Sequence, residues 1–229
     1  MGLDFDSFVL AASTADLADE PAAREHADAI EFRMDLADDP LAALEAYDGE
    51  LPILATNRAD WEGGEAEDEG RLEALAEATA LEGVEAIDVE LESILEGEAE
   101  GLLETARERD VSVVASAHDF EGTPPRKEMV RTLTEAGKYA DVAKLAVTAE
   151  SKADTLALLS ATEQLTSHGD AVATMAMGEV GSHTRAVAPV YGSKIGYAPV
   201  DPEEATAPGQ YDLETLTDLV SELSLREDQ

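Results

Sequence analysis

A chain of 229 residues with 44% apolar residues and no cysteine is long enough to bury one large core without disulfides, and its apolar content excludes a disordered chain. Its 52 carboxylates against 15 lysines and arginines give a net charge of −37, which excludes ordinary nucleic-acid binding and points to a salt-requiring protein with a solvated acidic surface. No stretch reaches the ~18 apolar residues of a membrane span, and MGLDFDSFVLAAS lacks the basic start of a signal peptide, so the expectation is a cytoplasmic protein with no membrane partner.

Along the chain, short apolar runs alternate with helical patterns. FVLAA (8–12) is followed by AIEFRMDL (29–36), which sets Glu31, Arg33 and Asp35 at alternate positions and so on one face of a strand. LAALEAY then repeats its apolar residues at helical spacing. LPILATNR (51–58) ends in Thr56 and Arg58 and runs into Glu62-Gly63-Gly64-Glu65. After the helical RLEALAEATAL comes AIDVEL (86–91), with Asp88 and Glu90. AEGLLETARER leads to VSVVASAHDF (111–120), which ends near Ser116 and His118. RKEMVRTLTEAG leads to DVAKLAV (141–147), which contains Lys144. KADTLALLSATEQL precedes AVATMAMG (171–178), whose following loop ends at Arg185. SKIGYAPV (193–200) precedes a loop holding Pro208-Gly209-Gln210, and LETLTDLVSEL is the last helical pattern.

Eight strands alternating with helices predict parallel βαβ units, and eight such units in this length predict a (β/α)₈ barrel spanning residues 1–229 as a single domain. A doubly wound sheet would call for a Gly-rich phosphate turn after the first strand, which this chain lacks. Active sites of such barrels lie at the C-terminal ends of the strands, where the polar residues of this chain gather.

A lysine at a strand end can simply reach solvent, but Lys144 lies in an apolar run, where desolvation favours a neutral, nucleophilic amine able to form a Schiff base with a ketone. His118 ends the preceding strand and would face the same barrel mouth, placed to serve as general base and acid. His26 reads as part of the first helix, His168 as a surface loop residue, and His183 as peripheral. Glu31, Arg33 and Asp35 could form an interior ion-pair network. Arg58 and Arg185 suit a substrate that is anionic or rich in hydroxyls. No spacing of ligands predicts a metal. On these residues alone a dehydratase and a class I aldolase are both open, with a non-catalytic ligand-binding barrel as a third possibility.

Six motifs in order carry a resemblance. EFRMD (31–35), TNRADWEGGE (56–65), SAHDFEGTP (116–124), DVAKLA (141–146), MGEVGSHTR (177–185) and APGQ (207–210) together resemble type I 3-dehydroquinate dehydratase of the shikimate pathway. That resemblance implies a dimeric (β/α)₈ barrel that uses no metal or organic cofactor and makes 3-dehydroshikimate from 3-dehydroquinate by syn loss of water. It implies that Lys144 captures the C3 ketone, that His118 is the base at C2 and the acid for the C1 hydroxyl, and that Glu62 orients this histidine. By the same resemblance Arg185 clamps the substrate carboxylate, Glu31, Arg33 and Arg58 hold the ring hydroxyls, and Thr206 and Gln210 belong to a loop that closes over the substrate. Thr184 and Thr206 stand where the family has serines, and Asn57 and Trp61 depart from its rim residues. The short N-terminal segment predicts a small or missing hairpin beneath the barrel.

Overall fold

A computed structural model describes residues 3–201 and 209–224. Eight strands form one parallel sheet: β1 (Val9–Thr14), β2 (Ala29–Arg33), β3 (Ile53–Thr56), β4 (Val84–Glu90), β5 (Ser112–Asp119), β6 (Val142–Thr148), β7 (Val172–Met177) and β8 (Ile195–Pro199). Pairing runs from β7 through β6 down to β1 and on to β8, so the sheet curls into a nearly closed barrel. At the remaining seam the Lys194 amide donates to the Val172 carbonyl at 2.8 Å, and the Thr174 amide donates to Ser193 Oγ at 3.0 Å.

Helices alternate with the strands: α1 (Glu20–Ala23), α2 (Pro40–Glu45), α3 (Arg71–Ala78), α4 (Leu91–Leu95), α5 (Glu100–Glu108), α6 (Arg126–Ala136), α7 (Lys152–Thr166), α8 (Thr184–Val187) and α9 (Leu213–Ser224). Spacing decides which face each one buries. In α6, Met129, Leu133 and Ala136 fall on one stripe and pack inward, leaving charged residues outside. Helix α7 starts at a reciprocal cap: Ser151 and Asp154 satisfy each other's backbone amides, as in a capping box. Between helices and sheet lie the outward side chains of the strands, among them Ile30, Phe32, Ile87, Val89, Leu145 and Val147. Buried on both faces, parallel strands read as continuous apolar runs, which is why they stand out in the sequence.

Inside the barrel the register stacks side chains in layers of four from alternate strands. The lowest layers are apolar: Ala29, Ala86, Val142 and Ile195, then Ala11, Leu54, Val114 and Ala173. Above them the even strands supply Glu31, Asp88, Lys144 and Tyr197, and the odd strands supply Ser13, Thr56, Ser116 and Met175. The switch from apolar to polar layers two residues further along each strand is what places the functional side chains at the C-terminal mouth.

Two local expectations need correction. The run AIEFRMDL leaves the sheet at Arg33, and Met34–Leu36 form a 3₁₀ turn, so Asp35 does not share the strand face with Glu31 and Arg33. Its carboxylate turns back and binds Arg33 instead. His26 lies in a turn beyond α1, which ends at Ala23. Beneath the barrel the chain has neither hairpin nor open end among the described residues. Leu3 pairs by its amide with the Glu85 carbonyl at 3.1 Å and accepts from Ser112 Oγ at 2.9 Å, and Phe5 packs into the floor.

Candidate active site

Lys144 projects from the middle of β6 into the barrel and is only 5% exposed. A buried ammonium needs a partner, and here Nζ donates to Asp88 Oδ2 at 2.9 Å. Asp88 Oδ1 in turn accepts from Arg58 Nη2 at 2.6 Å and from Ser116 Oγ at 2.5 Å. Burial opposes ionisation of Asp88, but the Arg58 and Lys144 charges outweigh it and hold the carboxyl well below the usual range. Glu90, two residues on, binds Arg58 Nη1 through Oε1 at 2.9 Å and Arg71 through Oε2; Arg71 also reaches Ser93 Oγ at 2.9 Å. Arg58 is therefore a member of an internal ion network rather than a free fork at the mouth. Burial alone would weaken its charge, yet the carboxylates of Asp88, Glu90 and Glu62 raise its pKa.

His118 stands at the end of β5, next to the lysine strand, and faces the same cavity. Its Nδ1 lies 3.1 Å from Glu62 Oε2, and its backbone amide donates to Glu62 Oε1 at 3.1 Å. Phe120 stacks on the imidazole at 5.8 Å between ring centroids, 9° from parallel. Burial, then the Arg58 and Lys144 charges, push the His118 pKa well below the ordinary value, so the imidazole is neutral at pH 7. With the carboxylate at Nδ1, the neutral ring carries its proton there and presents a basic Nε2. Glu62 itself is pushed up to about 7, chiefly by burial. Gly63 lets the loop bring Glu62 this close: its φ of +81° suits glycine, and a Cβ there would strike the Phe120 ring.

Arg185 enters from α8 and is buried, and its Nε has no hydrogen-bond partner among the described residues. Burial lowers its pKa to about 10, opposed by Glu31, so the guanidinium remains charged at neutral pH. Thr184 fixes the start of that helix: its hydroxyl donates to the Gly181 carbonyl at 2.7 Å and accepts from the Ala176 amide at 2.9 Å, so threonine serves in the place of serine. Glu31 accepts from Ser13 Oγ and from Thr56 Oγ1 at 3.2 Å, while Arg33 is held in a two-pronged pair with Asp35 at 2.9 and 2.7 Å. Gln210 lines the rim, where Gly209, at φ +78°, lies against the Gly178 carbonyl too closely for any side chain. Thr206 lies outside the described residues.

Thus one cavity brings together Glu31, Arg33, Arg58, Glu62, His118, Lys144, Arg185 and Gln210. Sequence reasoning noted Asp88, Glu90 and Ser116 but gave them no role, and it missed Arg71 and Tyr197. The alternate acids of AIDVEL were the available signal for the first two. Asn57 and Trp61, both departures at the rim, are structural: Asn57 Nδ2 donates to the Arg71 carbonyl at 3.1 Å, and Trp61 Nε1 donates to Asp68 at 2.7 Å. Among the described residues no group of three or more His, Asp or Glu side chains is placed to share a metal ion.

The sequence pattern of the type I 3-dehydroquinase family matches residues 8–227. The chain is 58% identical over 226 residues to the 3-dehydroquinate dehydratase of Haloarcula marismortui, covering 96% of this chain and 98% of that one. It is 53% identical over 225 residues to that of Halobacterium salinarum, covering 96% and 100%. Among solved structures, the 3-dehydroquinate dehydratase of Geobacillus kaustophilus is similar with a TM-score of 0.83 at 28% identity, covering 96% of this chain and 92% of that one.

Proposed function

The chain belongs to the type I 3-dehydroquinase family of dehydratases, and from that premise we propose that it converts 3-dehydroquinate to 3-dehydroshikimate by syn elimination of water through a Schiff base on Lys144, in the route to aromatic amino acids. The observation that carries this reading is the content of one cavity: a buried amine, a neutral imidazole backed by a carboxylate, and a guanidinium that makes no ion pair with a carboxylate among the described residues.

Lys144 Nζ, once it has given a proton to water, adds as the neutral amine to the C3 carbonyl, and loss of water from the reprotonated adduct leaves an iminium, which draws electrons from the neighbouring C2–H bond. His118 Nε2 takes the C2 proton, and the electron pair moves into a C2–C3 enamine. The enamine then expels the C1 hydroxyl as water, with the proton returned by His118, and a further water releases the product from Lys144. Arg185, buried and charged, suits the substrate carboxylate with forked donors. Glu31 and Arg33 line the same cavity and would meet the ring hydroxyls. Gln210, at the rim of the same cavity, would shield the reaction from water.

Sodium borohydride added with 3-dehydroquinate reduces the imine and fixes substrate-derived mass on Lys144; an active protein that gains no such mass contradicts the covalent route. Arg185→Ala is expected to raise KM by roughly 10- to 100-fold, the scale of a lost charge-assisted hydrogen bond, with a smaller fall in kcat. Equal falls in kcat and kcat/KM would assign Arg185 to the transition state instead.

The pH profile gives a further test. Glu62 is raised to about 7, so its anion, which accepts from His118, predominates only above that pH. The free-enzyme kcat/KM should therefore climb through pH 7, and Glu62→Gln should flatten that limb while lowering the plateau. The same shift acts oppositely on folding. A carboxyl with a raised native pKa stabilises the fold at low pH, and that contribution is lost as pH rises from about 4.5 through about 7. Glu62→Gln should accordingly gain melting temperature relative to the parent at pH 8 but not at pH 4.

A further inference from the structure

The layer of four that holds the lysine contains one member with no role so far. Going round the barrel its members are Glu31, Asp88, Lys144 and Tyr197, so the lysine has Asp88 on one side and Tyr197 on the other, with Tyr197 also standing between Lys144 and Glu31. Nζ lies 4.4 Å from the centroid of the Tyr197 ring and 2.9 Å from Asp88 Oδ2. Tyr197 is 4% exposed, and its hydroxyl has no hydrogen-bond partner among the described residues. A buried phenol without a partner costs free energy that phenylalanine would avoid. The ring face, by contrast, is engaged: within about 6 Å an aromatic face attracts a cation, most strongly where water is excluded.

We propose that Tyr197 is a positioning residue for Lys144, its ring face holding the amine at the cavity opposite Asp88 and stabilising the positive charge that the nitrogen carries as ammonium and as iminium. The inference rests on the Schiff-base reading. Ammonium and iminium both keep the charge, but the iminium has fewer N–H donors to give Asp88, so a partner that needs no N–H gains weight once the bond has formed. The ring also keeps Lys144 from a second ion pair with Glu31, whose oxygens are already occupied by Ser13 and Thr56.

The test measures the rate of borohydride trapping with 3-dehydroquinate, beside kcat and KM, in three variants. Tyr197→Phe keeps the face and is expected to trap within two-fold of the parent. Tyr197→Leu removes it and should trap about ten-fold more slowly, with KM changing less than kcat. Replacing Tyr197 with a ring-fluorinated phenylalanine keeps the shape but weakens the negative face; it separates electrostatics from packing and serves if the leucine variant does not fold. It too should trap about ten-fold more slowly. Equal trapping by the phenylalanine and fluorinated variants, or a loss in Tyr197→Phe as large as in Tyr197→Leu, overturns the proposal. An active parent that forms no adduct at Lys144 would instead overturn the Schiff-base reading itself, so the two failures are distinguishable.

Discussion

Lys144→Ala is expected to lose turnover of 3-dehydroquinate by roughly 10⁵-fold or more, the scale on which an enzyme loses activity when its covalent nucleophile is removed. Appearance of the conjugated enone, followed by absorbance, reports the loss. The variant still folds, because the charge left behind is not stranded: Asp88 keeps Arg58 at 2.6 Å and Ser116 at 2.5 Å. Removing one partner of a buried pair is severe when the other is left alone, and here it is not. Lys144→Arg isolates the chemistry further. It can restore the positive charge beside Asp88, but a guanidinium does not form an imine with a ketone under these conditions. Circular dichroism should match the parent in both variants, and neither should gain mass with borohydride. Substantial turnover in either would remove Lys144 from the reaction.

His118→Ala should separate the two halves of the proposed mechanism. The amine that forms the imine remains, so borohydride should still fix mass on Lys144, while elimination slows by roughly 10²- to 10⁴-fold, as for loss of a general acid–base group. A variant that neither traps nor eliminates would assign His118 to imine formation.

The barrel was legible because its strands are buried on both faces, and every apolar run overlaps one strand, with bounds within two residues except at the end of AIEFRMDL. Lys144 and His118 stood out for the same reason, as polar side chains in otherwise apolar runs. Partners across the barrel were not legible. Asp88 and Glu90 read as alternate acids on one strand, but Lys144 is 56 residues away and Arg58 is 30. Only the register brings them together. A net charge of −37 raises the question of how so acidic a chain accommodates a buried amine. One carboxylate of that same acidic set is the amine's partner, and Arg58 shares it. A phenol that contributes a ring face and leaves its hydroxyl unpaired has no sequence signature at all. Neither does a floor sealed by Phe5, since one buried aromatic near a terminus looks like any other.

Removing salt should unfold this protein while leaving the chemistry of its site intrinsically sound. Among the described residues, five Lys and Arg side chains are buried, all in or beside the cavity, whereas only four carboxylates are buried. The surface is therefore still more one-sided than the net charge of −37 indicates, with Glu92, Glu96, Glu98 and Glu100 exposed in succession around α4 and α5. Exposed like charges repel over about 10 Å at 0.1 M salt but over only about 3 Å at 1 M. Unfolding separates them, so dilution of salt favours the unfolded chain. The pairs Lys144–Asp88, Arg58–Asp88 and Arg71–Glu90 lie in the barrel and are screened far less. Two measurements then diverge. The melting temperature should climb steeply between 0.1 M and several molar KCl. Within the range where the chain is fully folded, kcat should stay nearly flat, while KM for the anionic substrate rises as salt falls, because the negative surface then repels it. A fold and activity that survive dialysis into low salt would mean that packing alone overcomes the repulsion. A kcat that tracked salt in step with KM would place the salt dependence inside the barrel rather than on the surface.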